Sequence, residues 1–350
     1  MADTPRRFLF NAFPANSQGG GAVIKIMKIR EYLQARGHTV DLYDQWTTDI
    51  GAYDIYHHFS MFPADLPMIR FARATSVKIF IETMYWGAWQ FALTAESTLP
   101  RRVLRTLRYT LRRTLPALTA EGRILRLADG VMVNSNFERD NVRRDFRIST
   151  DKIHVCANGC DLSFEQADAA LFENEYGLKD FVLVTGLFEA RKNQLNLIRA
   201  MKGTDIPLVL IGGAPAVHQG YYDACRAEAD SNVHFIDFMD HDDPMFRSAY
   251  AACRVLALPS WHETTGKSVL EAGLLGRNVV MTTYAPAAKE YFRDLVTYVE
   301  PADVIAMREA VVNAWQSPPA DALQARVQRL YTWDRVLAER EQAYLSHLDT

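Results

Sequence analysis

The stretch Val255-Leu256-Ala257-Leu258-Pro259-Ser260-Trp261-His262-Glu263-Thr264-Thr265-Gly266-Lys267-Ser268-Val269-Leu270-Glu271-Ala272-Gly273 runs from strand through loop into helix. Val255–Leu258 is a short apolar run of the kind that forms a strand in a buried parallel sheet. Gly266 interrupts any helix begun earlier, which places the helix start near Gly266 and leaves Glu263 in the loop ahead of it. The backbone N–H groups of Gly266, Lys267 and Ser268 then face outward with the helix dipole behind them, an arrangement that suits an anion. Glu271 falls in the second turn, where a carboxylate can accept hydrogen bonds from the vicinal hydroxyls of a ribose. Glu263 is placed to meet a sugar or a developing positive charge. The plainer alternative is a capping loop with two solvated glutamates.

The same strand–helix alternation runs through both halves of the chain. Strand candidates are Phe8–Phe10, Thr39–Tyr43, Ile55–His57, Val77–Ile81, Gly130–Val133 and Ile153–Val155, then Phe181–Thr185, Leu208–Ile211, Val233–Ile236, Val255–Leu258, Asn278–Thr282 and Thr297–Val299. Helical patterns lie between them, such as the face made by Val23, Ile26, Met27, Ile29 and Leu33. Two successive sets predict an α/β protein of two doubly wound Rossmann-like domains facing across a cleft. The boundaries expected are 1–160 and 161–332, with a hinge near Asp161–Glu175 and a terminal helix in 333–350 that can pack back on the first domain. A length of 350 residues agrees with two domains. Open parallel sheets bind ligands at the carboxyl ends of their strands, so chemistry is sought in the loops that follow strands.

Composition narrows the classes. Hydrophobic residues at 49% and charged residues at 23% exclude a disordered or fibrous chain. A net charge of −3 gives no global basic field for nucleic acid. No run approaches the roughly 18 apolar residues of a membrane span, and Met1–Ser17 is too interrupted for a secretory signal, so a cytoplasmic protein is expected. The 4 cysteines make no disulfide framework, and the spacing of Cys156 and Cys160 is not that of a zinc pair. Charge is uneven: residues 1–157 carry 22 Lys+Arg against 15 Asp+Glu, and the remainder 17 against 27. Either the first half meets something anionic, or two ordinary domains differ by chance.

Two further loops carry charge or glycine where a ligand would sit. Gly19-Gly20-Gly21 follows the first strand and opens a helix, letting backbone approach an anion, although it is not a dinucleotide fingerprint and a bland turn is a fair rival. Gly186-Leu187-Phe188-Glu189-Ala190-Arg191-Lys192 follows the first strand of the second half, and Lys192 there can meet a diphosphate as a point charge, or be a solvated surface lysine. Asp240-His241-Asp242-Asp243 contains an Asp-x-Asp pattern, but Pro244 follows at once and the stretch reads as a turn into a helix, so no metal site is expected. His57, His58 and Met84 fall at strand ends without a nucleophile–base pair beside them.

Residues 101–126 stand apart. Leu104, Leu107, Leu111, Leu115 and Leu118 form one stripe, and Arg101, Arg105, Arg108 and Arg112 form a second. Glu121 is the one acidic residue from Pro100 to Ala128. Leucines flanked by arginines suit a helix lying on an anionic membrane surface, with the aromatic run Met84–Phe91 just upstream. The alternative is leucines packed on the first sheet and arginines solvated. Pro116 should kink or divide the helix.

Taken in order, these segments resemble the retaining glycosyltransferases of family 4, the glycosyl transferases group 1, which have the GT-B fold. The resemblance rests on Gly20-Gly21 with Gly37-His38-Thr39-Val40, on Ala128-Asp129-Gly130-Val131-Met132-Val133-Asn134-Ser135, on Asn158-Gly159-Cys160-Asp161, on Gly186 to Lys192, and on Glu263 to Glu271 as an E-x7-E motif. It covers about Phe10 to Tyr298.

The resemblance implies a metal-independent transfer of a sugar from a nucleotide-diphosphate donor to an acceptor hydroxyl, with the nucleotide sugar as co-substrate and no cofactor. Glu271 would hold the ribose and Lys192 the diphosphate. Thr265, Gly266, Lys267 and Ser268 would line the phosphate, Gly186 would close the strand before it, and Gly20 and Gly21 would cover it from the first domain. Glu263 would lie against the donor sugar. Leu187 stands where the family usually has an arginine, a charge that Arg191 can supply, and Thr83-Met84-Tyr85 replaces a loop that often carries a histidine. In a front-face transfer the leaving phosphate itself can take the acceptor's proton. The basic helix then points to a lipid-linked or membrane-presented glycan acceptor in bacterial surface polysaccharide synthesis, on the inner face of the plasma membrane. The rival readings are a non-catalytic nucleotide-sugar-binding scaffold on the same fold and a nicotinamide-dependent dehydrogenase.

Overall fold

The computed structural model describes residues 4–12, 21–85, 87 and 99–348, with the side chains of 99–102 and 105 outside the description. The chain forms two compact units, Met1–Asn158 with Trp333–Thr350, and Gly159–Thr332. Each is built on a six-stranded parallel sheet. The expected strands are all present, within a residue or two of the bounds read from sequence. Their short apolar runs are buried on both faces by helices, which is what makes such runs legible.

In the first unit the strands are β1 (Arg7–Asn11), β2 (Thr39–Leu42), β3 (Ile55–His58), β4 (Lys78–Glu82), β5 (Gly130–Val133) and β6 (Ile153–Val155), in spatial order β2-β1-β3-β4-β5-β6. Helices α1 (Gly21–Ala35), α2 (Leu66–Arg73), α3 (Leu99–Thr114), α4 (Ala120–Leu127) and α5 (Asn136–Phe146) connect them. Ile26, Ile29 and Leu33 of α1 are buried, as their spacing predicts. Pro116 divides the basic helix: α3 ends at Thr114, a 3-10 turn spans Pro116–Leu118, and Thr119 caps α4 by accepting from Gly122 N–H. Ser135 caps α5 through Glu138 N–H at 3.0 Å, and the buried Glu138 carboxylate accepts from Asn134 N–H, Tyr85 N–H and the Thr83 hydroxyl.

The second unit holds β7 (Val182–Thr185), β8 (Leu208–Ile211), β9 (Val233–Ile236), β10 (Val255–Leu258), β11 (Asn278–Thr282) and β12 (Thr297–Val299), in spatial order β12-β11-β10-β7-β8-β9. Its helices are α6 (Ala169–Tyr176), α7 (Gln194–Met201), α8 (Gln219–Glu228), α9 (Pro244–Ala252), α10 (Lys267–Leu274), α11 (Ala288–Phe292), α12 (Val304–Gln316) and α13 (Asp321–Leu330). Residues 161–175 belong to this unit, as the expected boundary at 161 has it, and Phe164 and Phe172 are fully buried there. Cys160 N–H donates to the Tyr331 carbonyl at 2.8 Å, holding the two passages of the chain at the unit's edge side by side.

The last helix, α14 (Trp333–Leu345), belongs to the first unit. It is held by a buried cluster of charges. Arg340 donates to both oxygens of Glu82 at 2.5 and 3.2 Å, and Lys25 of α1 donates to Glu82 Oε1 at 2.5 Å. Tyr344 shares a 2.6 Å hydrogen bond with His57, while Glu341 meets His38 at 3.0 Å. Burial works to raise the Glu82 pKa, yet Arg340 first and Lys25 second hold it far below the ordinary glutamate value. Breaking a buried pair from one side leaves an uncompensated charge, so Arg340→Met should lower the unfolding free energy by about 3–5 kcal/mol, read by urea denaturation at neutral pH. Because the native pKa is depressed, Glu82's contribution is complete above its unfolded value of about 4.3 and is lost as pH falls below that. Glu82→Gln should therefore flatten the acid limb of the stability profile, and an unchanged limb would show that other carboxylates govern it.

Candidate functional site

In the second sheet the winding reverses between β7 and β10: strands β8 and β9 are laid to one side of β7, and β11 and β12 to the far side of β10. Helices at such a switch point depart in opposite directions and leave a crevice at the carboxyl ends of the two strands. The loops there are Gly186–Asn193 and Pro259–Gly266, the two that the sequence singled out in this half.

The first loop is shaped by close packing. A Cβ added to Gly212, at the end of β8, would lie 1.9 Å from the Gly186 carbonyl oxygen, so only glycine lets the two strand ends approach. The chain then makes a 3-10 turn at Ala190–Lys192, and Asn193 follows in the left-handed region at φ 60°. The buried Asn193 amide donates to the carbonyls of Pro259 at 3.0 Å and Pro301 at 2.8 Å, and Trp261 N–H donates to the Arg191 carbonyl at 2.8 Å. The loops after β7 and β10 are thereby tied together by one side-chain amide and one backbone hydrogen bond.

That tie brings the cations onto the expected glutamate. Lys192 Nζ donates to Glu263 Oε1 at 2.6 Å, Arg191 donates to the same oxygen at 3.3 Å, and the Ser260 hydroxyl donates to it at 2.9 Å. Arg191 also donates to Glu189 at 2.6 Å and to the His262 carbonyl at 3.1 Å. Burial alone would raise the Glu263 pKa; Lys192, then Arg191, more than offset it, so the carboxyl stays below its ordinary value and ionised. Both basic residues are partly buried and held in place, not solvated surface groups.

Helix α10 begins at Lys267, one residue after the expected start, with Gly266 as its N-cap at φ 71°. A side chain at Gly266 would crowd Leu258 and Val269 at 3.0 and 3.1 Å. Thr265 is buried, and Lys267 and Ser268 are half-buried in the first turn, where N–H groups lack acceptors within a helix. Glu271, one turn on, is 5% exposed. Its Oε1 is 2.8 Å from His241 Nε2, and the nearby Tyr250 hydroxyl also favours the ionised carboxylate. Tyr250 itself shares a hydrogen bond, 2.8 Å, with Thr185 at the end of β7. Burial would raise the Glu271 pKa, but the His241 hydrogen bond leads the groups that bring it below the ordinary value.

Of the residues named from sequence, the structure therefore gathers Gly186, Arg191, Lys192, Glu263, Thr265, Gly266, Lys267, Ser268 and Glu271 around one crevice. Gly20 lies outside the described residues, and Gly21 opens α1 in the first unit. Sequence reading missed Asn193, Ser260 and Tyr250, and passed over His241 within a turn. The turn itself is present, with Asp243 capping α9 through Met245 N–H at 2.8 Å. Nothing in the spacing of His241 or Tyr250 signals their meeting with Glu271, which depends on how α9 and α10 pack.

On the first unit, the leucine row is not packed on the sheet. Leu104, Leu107, Leu111, Leu115 and Leu118 are 42–61% exposed, and Val103 is exposed beside them. Arg108 and Arg113 are exposed on the same helix, Arg112 pairs with Glu121, and the side chains of Arg101 and Arg105 lie outside the described residues, as do Trp86 and Ala88–Phe91. Among the described residues no helix is long and apolar enough to cross a membrane.

The family described as Glycosyltransferase Family 4 matches residues 19–164, and the one described as Glycosyl transferases group 1 matches residues 170–328. D-rhamnosyltransferase WbpZ of Pseudomonas aeruginosa is 26% identical over 159 residues, and the O-antigen chain mannosyltransferase B of Escherichia coli is 22% identical over 235 residues. The matches cover 43% and 61% of this chain, and 42% and 60% of those proteins' own length. Among solved structures, sucrose-phosphate synthase from Thermosynechococcus elongatus superposes with a TM-score of 0.77 at 19% identity, over 97% of this chain and 99% of that one. The two family matches fall on the two folded units in the order that a GT-B architecture requires, and the chain belongs to the group 1, family 4 glycosyltransferases.

Proposed function

We propose that the chain is a retaining, metal-independent glycosyltransferase that moves a sugar from a nucleotide-diphosphate donor to an acceptor hydroxyl. The observation that carries this reading is the convergence of Lys192 and Arg191 on one crevice with the start of α10, Glu271 lying one turn deeper. Cleavage of the bond between the anomeric carbon and the diphosphate oxygen sends the electron pair to the diphosphate. Lys192, Arg191 and the N–H groups of the α10 first turn stabilise that charge. Glu263, which these cations hold ionised, faces the positive charge that develops on the sugar. The acceptor oxygen bonds to the anomeric carbon on the face the diphosphate leaves, and its proton passes to the leaving phosphate oxygen. Arg191 supplies the charge that Leu187 does not, which favours a working transferase over a non-catalytic scaffold on this fold.

The acceptor in this reading is a lipid-linked or membrane-presented glycan of bacterial surface polysaccharide, met on the inner face of the plasma membrane. Two observations support it: relatives named for rhamnosyl transfer and O-antigen mannosyl transfer, and an exposed leucine row set among arginines. Such a face suits anionic lipid, where leucines enter the interface and arginines meet headgroups.

Thermal unfolding with UDP, GDP, ADP, CMP and NADH tests the donor site. One nucleoside diphosphate should stabilise the protein. Glu271→Ala should abolish the shift, and Lys192→Ala should weaken binding by about 10–100-fold, the worth of a charged hydrogen bond. No shift with any diphosphate sinks the reading. With the donor known, product anomeric configuration measured by NMR should match that of the donor, with turnover unchanged in chelator; an inverted product rules out retention. In flotation with phosphatidylglycerol vesicles the protein should rise with the lipid, less so at high salt. Leu107→Glu with Leu111→Glu should cut the bound fraction by more than about tenfold, and wild-type protein left in the dense fraction would refute membrane docking.

A further inference from the structure

We infer that His241 is a positioning residue for Glu271: it takes one carboxylate oxygen from inside the protein and so turns the remaining acceptor sites toward the vicinal diol of a ribonucleotide. This rests on the reading of Glu271 as the ribose-holding group. A carboxylate offers about four lone-pair sites. His241 Nε2 sits 2.8 Å from Oε1 and occupies one of them. What remains suffices for both hydroxyls of a ribose, of which a 2′-deoxyribose keeps one.

The histidine is itself held. Its ring packs against Phe164 at 5.4 Å and Phe246 at 5.9 Å, so its approach to Glu271 is set by aromatic contacts from the 3-10 turn Leu162–Gln166 and from α9. Nδ1 is buried without a hydrogen-bond partner and lies 3.6 Å from Asp242 Oδ1. The charged and titratable groups facing the ring are Glu271 and Lys267 from α10, Asp242 beside it in the loop, and Tyr250 from α9, which acts on the same carboxylate. Burial works against the imidazolium, and the hydrogen bond that Nε2–H donates to Glu271 raises the His241 pKa above its ordinary value in spite of it. The ring is therefore charged at pH 6 and loses its charge as pH rises through its raised pKa. An anionic nucleotide and an ionised Glu271 both favour the charged form.

The test is isothermal titration of full-length protein with UDP, GDP and ADP and their 2′-deoxy counterparts, from pH 6 to pH 8.5. Wild type should bind one ribonucleotide, prefer it to its deoxy form by about tenfold or more, and lose affinity several-fold across that range. His241→Gln, which keeps a neutral donor near the Nε2 position, should retain the ribo/deoxy preference with a flatter pH profile. His241→Phe should lose the preference. The nucleotide's own ionisation is common to all variants and cancels in the comparison. If wild type binds none of the three, or Glu271→Ala binds as well as wild type, the ribose reading falls and the inference with it. If Glu271→Ala loses binding while His241→Phe keeps wild-type affinity, preference and pH profile, the inference alone is overturned. Because His241→Gln keeps a donor and polarity, its superposition on the wild-type pH profile would also refute the charge-dependent part should His241→Phe fail to fold.

Discussion

The adjacency of β7 and β10 is the constraint on which the second unit's chemistry depends. Residues 186–193 and 259–266 are remote in sequence, and nothing local draws them together. Parallel pairing of Val255 with Val182 and Leu256 with Leu183 does, by placing the carboxyl ends of both strands side by side. Once they are there, the Asn193 amide spans from one loop to two carbonyls of other loops, and Trp261 N–H closes on the Arg191 carbonyl. One tie is backbone to backbone and the others run from a single side-chain amide to backbone carbonyls, so the crevice is held apart from its charged lining.

The lining is an exercise in keeping carboxylates ionised out of water. Glu271 is buried and Glu263 partly so, and burial by itself would raise the pKa of both. Each is rescued differently. Glu263 has two cations and a hydroxyl on one oxygen. Glu271 has a histidine and a tyrosine, partners that hold it still rather than neutralise it fully. The eight-residue spacing of the two glutamates puts one in a loop and one a turn into a helix, and the difference in their partners follows from that placement.

The first unit meets the same physics with another solution. Glu82, at the end of β4, is surrounded by Lys25, Arg340 and His57, and a buried ion cluster of this kind is worth more for uniqueness of packing than for net stability. Here it makes a helix from the end of the chain part of a sheet from its beginning. Two residues that carried the family resemblance make structural contacts: Asp129 accepts from Ile79 N–H at 2.8 Å and pairs with Arg73, and Asp161 caps a 3-10 turn through Ser163 N–H at 2.9 Å. A motif marks a family as readily through its caps as through its chemistry.

The strands, their two sets, the division of the basic helix at Pro116 and the placing of Glu263 in a loop were legible in the linear order of residues, because each is a local matter: apolar runs bury on both faces, and proline and glycine interrupt helices. The ordered motifs then sufficed to identify the family. What local reasoning could not supply was every contact made across elements. It read Asp161–Glu175 through its acidity, and composition does not disclose that Phe164 and Phe172 are buried. It left open whether the leucines of α3 face a core or the solvent, because periodicity gives a stripe and not its direction. It passed over His241 and Tyr250 because their meeting with Glu271 is a product of helix packing, and packing distances are written only in the folded chain.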